Sequence, residues 1–273
     1  MDLEHALIET IGTIHGAYAI AVISLDEPNK ILATRKDSPL IVGVGEDQYF
    51  VASDSPAILE YTRNIIYPER DEIVILEPEG VTIKDKQGNI LEKEIEVIEW
   101  TPKMAQKEGY DYFMIKEINE QATAVKNTLT EKENIEKIVG DLDDINRICF
   151  VACGTSYHAS LTGKYLIESL AGIPVDVILA SEFKYSTNTL NEKTLVIFIS
   201  QSGETADTLK ALDIANKTSK TLGIVNVAGS SVTRRANYVI HTQSGPEIGV
   251  AATKTYLGQL TAIYMFAGLL ANN

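Results

Sequence analysis

The chain has 273 residues, 45% of them apolar and 23% charged. At roughly 100 to 200 residues per domain this allows two domains with real cores, and it excludes a disulfide-held miniprotein and wholesale disorder. With 24 Lys and Arg against 38 Asp and Glu, the formal net charge is −14; this field repels polyanions and excludes nucleic acid and anionic membrane surfaces as partners. A small anion is still admissible, because a few backbone N–H groups at a helix N-terminus hold a phosphate against an unfavourable overall field.

The opening MDLEHALIET has neither the basic start nor the apolar core of a signal peptide, so the sequence predicts a cytoplasmic protein. Leu3, Ala6, Leu7, Ile11 and Ile14 recur at helical spacing, with Gly16 as a stop. Short strands are predicted over 17–25, 30–35, 40–45 and 48–52, joined by turns at Glu27-Pro28-Asn29 and Gly45-Glu46-Asp47. Ser55 can cap a helix over 56–64, and strands follow over 72–76, 81–84 and 90–98, with a turn at 85–89. Residues 1–100 therefore read as the sheet-rich half of an α+β domain. The next segment, 101–145, is dense in charge, with sparse apolar residues such as Met114, Ile118 and Val125; it reads as a linker carrying one or two helices.

From Asn146 to the end, apolar strands alternate with helices. Strands are expected over 147–152, 175–180, 194–199, 222–227 and 238–242, and helices over 156–170 (stopped by Gly172), 205–216 and 231–236. Near-continuous apolar strands between helices predict a doubly wound parallel α/β sheet over 146–273, with any ligand beyond the carboxyl ends of the strands. The uncharged stretch 255–271, broken by Thr255, Gln259 and Thr261, is short for a bilayer span and reads as a buried or interface helix.

Two cysteines, Cys149 and Cys153, stand four positions apart, and four histidines (His5, His15, His158 and His241) are scattered along the chain. Neither set has metal-ligand spacing, so no metal or cofactor is expected and the thiols read as reduced.

Chemistry is expected at two loops that each follow an apolar strand and open a helix: Cys153-Gly154-Thr155-Ser156 and Ser200-Gln201-Ser202-Gly203-Glu204-Thr205. Glycine lets the backbone turn and approach a ligand, hydroxyls supply hydrogen bonds, and the helix N-terminus supplies unpaired N–H groups. One such turn would be an ordinary N-cap, but two at strand ends of one parallel sheet point to a phosphate or sugar-phosphate cradle. Neither loop has the lysine of a nucleoside-triphosphate site or the glycine pattern of a dinucleotide site. A third segment, 245–254, also joins a strand to a helix; it reads equally as a ligand loop or as a plain loop with Lys254 on a solvated face.

These residues resemble a known family. Cys-Gly-Thr-Ser-Tyr at 153–157, Ala-Ser-Glu-Phe at 180–183, Ser-Gln-Ser-Gly-Glu-Thr-Ala-Asp-Thr at 200–208 and Glu-Ile-Gly-Val-Ala at 247–251 are similar to the first sugar isomerase (SIS) domain of the glucosamine-6-phosphate synthases. Gly-Ala-Tyr-Ala at 16–19, Ser-Pro-Leu at 38–40, Ala-Ser-Asp at 52–54, Lys-Glu-Ile at 116–118 and Lys-Asn-Thr-Leu at 126–129 resemble the family's glutaminase domain, of the N-terminal-nucleophile type, and the linker after it.

The resemblance implies an enzyme that uses ammonia from glutamine to turn fructose 6-phosphate into glucosamine 6-phosphate, working as a homo-oligomer. It implies that Thr155, Ser156, Ser200, Gln201, Ser202 and Thr205 hold the sugar phosphate. Val250 and Ala252 fall where the family lines the sugar, Ala252 standing where a serine is expected. The family's nucleophilic N-terminal cysteine has no counterpart before Cys149, and its isomerase base, ring-opening histidine and Schiff-base lysine belong to a second SIS domain. The expectation is a chain that carries part of the glutaminase domain and the first SIS domain, binds the sugar phosphate, and is inactive without the missing glutaminase and second SIS segments as partners. The alternative is a stand-alone, non-catalytic hexose-phosphate sensor.

Overall fold

The computed structural model describes residues 2–142, 144–187 and 190–272, and the chain divides into two compact units, 1–105 and 106–273. Residues 106–145 thus belong to the second unit rather than to a separate linker.

The first unit opens with α1 (Leu3–Thr13), whose N-terminus is capped by the Asp2 carboxylate accepting from the His5 N–H at 2.8 Å. Eight strands follow: β1 (Tyr18–Ile23), β2 (Ile31–Lys36), β3 (Ile41–Val44), β4 (Tyr49–Ala52), β5 (Asn64–Ile66), β6 (Ile73–Glu77), β7 (Gly80–Lys84) and β8 (Glu96–Val97). They form two antiparallel sheets, ordered β1-β2-β6-β7 and β4-β3-β5-β8. Ala33, Val74 and Leu76 of one sheet pack with Val42 and Ile66 of the other, while Leu32, Ile73 and Ile75 turn to the opposite face and cover Leu7 and Ile11 of α1. Side chains alternating across each strand therefore build a helix–sheet–sheet sandwich.

Two expectations in this unit are corrected. Residues 56–61 form successive turns instead of a helix, and Asn64 already begins β5. The cause is packing on β3: the Thr62 hydroxyl donates to the Val44 carbonyl at 2.6 Å, and Ile58 and Thr62 occupy the space above Gly43, where a β-carbon would meet them at 2.7 and 2.9 Å. The expected strand 90–98 is also broken. Ile90 makes a single bridge to Lys84 in the first sheet, and the chain then crosses to the second, where only Glu96 and Val97 pair with β5.

The second unit contains α2 (Phe113–Asn119), α3 (Gln121–Thr128), α4 (Lys132–Gly140), β9 (Arg147–Ala152), α5 (Gly154–Ala171), β10 (Val175–Leu179), β11 (Thr194–Ser200), α6 (Ala206–Ala215), β12 (Lys220–Val225), α7 (Ser231–Arg235), β13 (Tyr238–His241) and α8 (Lys254–Leu270). Its five strands lie in the order β10-β9-β11-β12-β13, every pair parallel. Ile148, Phe150, Ile197 and Ile199 face α4, α5 and α8, whereas Val151, Val196 and Phe198 face α6 and α7. Both faces are covered, which is why these strands read as unbroken apolar runs in the sequence.

The uncharged α8 packs against α3, α4 and α5 and buries Ala262, Ile263, Phe266 and Ala267. Close approach to the sheet is made possible at Gly163 of α5, where a β-carbon would lie 2.8 Å from the Phe150 ring. Among the described residues no helix is long and apolar enough to cross a membrane.

Candidate functional site

In this sheet the chain runs from β9 outward to β10 on one side, then returns to β11 on the other. The crevice between β9 and β11 is thus the point where the winding reverses, the place at which doubly wound sheets bind ligands beyond the carboxyl ends of their strands. Both loops singled out in the sequence open there. Ile199 is registered opposite Ala152, so Cys153 and Ser200 leave the sheet as neighbours, and Thr155, Ser156, Gln201, Ser202 and Thr205 follow them at the same edge.

The first loop is short because α5 begins at Gly154, whose φ of +55° suits a residue without a side chain. Cys153, the residue before it, makes no side-chain cap, so the first N–H groups of an 18-residue helix have no partner from that position. Burial raises the Cys153 thiol above its ordinary range, with the charge of Asp207 adding to the effect and the Ala180 N–H opposing it; the position holds a neutral thiol that does not repel an anion. Thr155 is exposed and Ser156 is buried.

The second loop is folded on its own hydroxyls. Ser200, 4% exposed, accepts from the Gly203 N–H at 3.0 Å and lies 3.2 Å from the Thr205 hydroxyl. Ser202 accepts from the Glu204 N–H at 3.2 Å. Gly203 is required here: its φ is +66°, and a β-carbon would sit 2.1 Å from the Ser230 hydroxyl. Glu204 fastens the loop to α7, its two oxygens accepting from the Ser231 N–H and hydroxyl at 2.6 and 3.0 Å. Thr205, at the start of α6, makes no side-chain cap either. Two helices thus present N-termini free of side-chain caps at adjacent strands, flanked by hydroxyls, an arrangement that favours a phosphate dianion without a metal.

Several residues that organise this edge escaped the sequence reading. Asn226, at the carboxyl end of β12, donates its N–H to the Gln201 carbonyl at 3.2 Å and its amide NH2 to the Gly245 carbonyl at 2.7 Å. Its side-chain oxygen accepts from the Thr242 hydroxyl and the Ser244 N–H at 3.0 and 2.9 Å. It therefore joins the second loop to the third, and the available signal was a polar residue ending an apolar strand.

In the third loop Glu247 accepts from the Thr253 N–H at 2.9 Å and from the Thr255 N–H and hydroxyl, closing the start of α8. Lys254, one reading of which placed it on a solvated face, is 3% exposed and donates to Glu120 at 2.7 Å. Val250 stands fully exposed at the loop tip and Ala252 is half-buried. Glu117 of α2 accepts from the N–H groups of Ile248 and Gly249 at 2.7 and 3.0 Å.

A cavity of about 800 Å³ opens elsewhere, among Asn191, Asn216, Lys217, Thr218 and Asn237 at the amino ends of β12 and β13. Its asparagines serve the fold: Asn216 and Asn237 accept from the Thr221 hydroxyl at 2.8 and 3.0 Å. This cavity lies at the opposite edge of the sheet from the two glycine-hydroxyl loops.

A five-stranded parallel sheet with glycine-hydroxyl loops at its winding reversal defines the class: residues 141–269 match the SIS domain family, and this part of the chain is a SIS domain. Over nearly its whole length the chain is homologous to the glutamine–fructose-6-phosphate aminotransferases (isomerizing). It is 58% identical over 270 residues to the enzyme of Methanothermobacter thermautotrophicus, covering 99% of this chain and 46% of that one. To the enzyme of Clostridium tetani it is 48% identical over 276 residues, covering 97% and 45%. Among solved structures, the C-terminal domain of glucosamine-fructose-6-phosphate aminotransferase from Francisella tularensis superposes with a TM-score of 0.58 at 40% identity, covering 61% of this chain and 49% of that one. The chain spans about half the length of the curated relatives it matches.

Proposed function

We propose that the second unit binds a hexose phosphate at the carboxyl edge of its sheet, and that the chain supplies this binding half of a glutamine-dependent conversion of fructose 6-phosphate to glucosamine 6-phosphate. What supports this most is the pairing of two N-termini without side-chain caps, those of α5 and α6, on the adjacent strands β9 and β11. Thr155, Ser156, Ser200, Gln201, Ser202 and Thr205 surround the phosphate, with hydroxyls and N–H groups donating to its oxygens. Residues 1–100 belong on this view to the glutaminase part and residues 146–273 to the first SIS domain, in a cytoplasmic homo-oligomer.

Calorimetric titration with fructose 6-phosphate, inorganic phosphate serving as the reference anion, tests the proposal. Saturable binding is expected, weakened at least roughly a hundredfold in Ser200→Ala/Thr205→Ala because two hydrogen bonds to a charged group are lost, each worth about 1.5–3 kcal/mol. A folded chain that binds neither ligand at millimolar concentration would sink it.

A further inference from the structure

We propose that Glu117 is a positioning residue for this site: from α2 it clamps the loop after β13 and so sets how the sugar end of a hexose phosphate is held, while leaving the phosphate cradle alone. The clamp is specific in its geometry. Glu117 is 2% exposed, and one of its carboxylate oxygens accepts from the amides of both Ile248 at 2.7 Å and Gly249 at 3.0 Å. The other oxygen is buried with no hydrogen-bond partner among the described residues, and a β-carbon at position 249 would lie 2.5 Å from it. Burying a carboxylate with one oxygen unsatisfied costs stability. What the fold obtains in return is a loop held in one conformation at its apex.

The loop is fixed on either side of that apex as well. Asn226 binds its first residue, Gly245, and through its own N–H reaches Gln201 of the second phosphate loop. At the far end Lys254 is bonded to Glu120, which also faces Lys116 at 3.5 Å. Between these anchors only the tip projects, with Val250 fully exposed. The loop leaves the carboxyl end of β13, the edge from which both phosphate loops arise, so its tip forms a wall of the same site if that edge binds a sugar phosphate, the assignment on which this role for Glu117 rests. An apolar tip placed beside a polar anion cradle contacts carbon atoms of the ligand, not its phosphate.

The experiment compares Glu117→Ala and Glu117→Gln with the unaltered chain, using fructose 6-phosphate and inorganic phosphate as probes and hydrogen exchange at the amides of 248–253. In Glu117→Ala, exchange at Ile248 and Gly249 should rise at least roughly tenfold and affinity for fructose 6-phosphate should fall by about the same factor, the loss expected for one hydrogen-bonding group. Affinity for inorganic phosphate should stay within about twofold, and Glu117→Gln, which keeps an acceptor oxygen, should recover most of both effects. Equal weakening of the two ligands, unchanged exchange, or unchanged fructose 6-phosphate affinity in the Ala variant each overturns the role of Glu117 while leaving the site standing. If the unaltered chain binds neither probe, the site assignment fails and the role fails with it. Should Glu117→Ala not fold, Gly249→Ala displaces the clamp from the other side and must show the same split between the two ligands.

Discussion

The two units use their strands in opposite ways. In the first, neighbouring strands are antiparallel, so successive turns alternate between the two ends of each sheet and residues close in sequence stay close in space. In the second, all strands point one way and every carboxyl end delivers its loop to one edge. Segments 153–156, 200–205 and 245–254 share that edge although nearly a hundred residues separate the first from the last. Parallel topology concentrates chemistry; antiparallel topology spreads it. That is why candidate binding residues could be read from loops in the second unit, while the first showed helices, strands and turns but no such loop.

Four changes would break or sharpen this contrast. The largest effect is expected for Phe150→Ala. The ring is fully buried in β9 and touches α5 at Gly163, so its loss should cost about 3–5 kcal/mol and, by loosening α5, abolish fructose 6-phosphate binding; retained binding would detach the site from the sheet core. Ile73→Ala, equally buried in the first unit, should cost about 2–5 kcal/mol with sugar-phosphate affinity kept within about twofold where the chain is folded. A loss of binding there would show that the units are coupled.

Third, Gly203→Ala places a residue with a β-carbon at φ +66° against Ser230. The left-handed backbone alone costs about 1–2 kcal/mol, and fructose 6-phosphate affinity should drop below detection in calorimetry; normal binding would mean that the second loop does not hold the phosphate.

The fourth and smallest effect is alkaline. In the first unit burial, helped by the Asp71 hydrogen bond and charge, raises Tyr18 from 10.0 to about 12; in the second, burial, helped by the charge of Asp176, raises Cys149 from 9.0 to about 12. Each group holds its proton more tightly when folded, so its contribution to stability is complete below the unfolded value and is lost as pH rises through the folded one. Denaturation midpoints between pH 8 and 12 should fall, and Tyr18→Phe should flatten the part of that fall followed through the first unit. Cys149 should resist thiol reagents at pH 8 in the folded chain and react once it is denatured; rapid reaction in the native state would mean that β9 is open.

Much of the fold was legible because burial on both faces leaves an unmistakable mark. The limits of β9, Arg147–Ala152, coincide with the apolar run, and Gly172, in the left-handed conformation at φ +67°, stops α5 where expected. Legibility failed where long-range packing overrode local preference, as at 56–61, where Ile58 and Thr62 settle onto Gly43. It failed too for the polar residues that brace the site. Glu117 bonds Ile248 across 131 positions of sequence, and no local pattern distinguishes that carboxylate from the solvated acids around it. Hydroxyls and glycines in a loop announce themselves by composition; a brace is defined only by its partner.

The same 131-residue span has a consequence for how the molecule is made. Chains emerge N-terminus first, at about 5–20 residues per second, so Glu117 leaves the ribosome well before the two amides it will bind exist. Contacts of such separation are costly in loop entropy until most of the intervening structure has formed. The sheet can thus assemble and draw α8 onto α5 before the loop at 245–254 is secured, which makes the two hydrogen bonds to Glu117 late additions to the newborn chain.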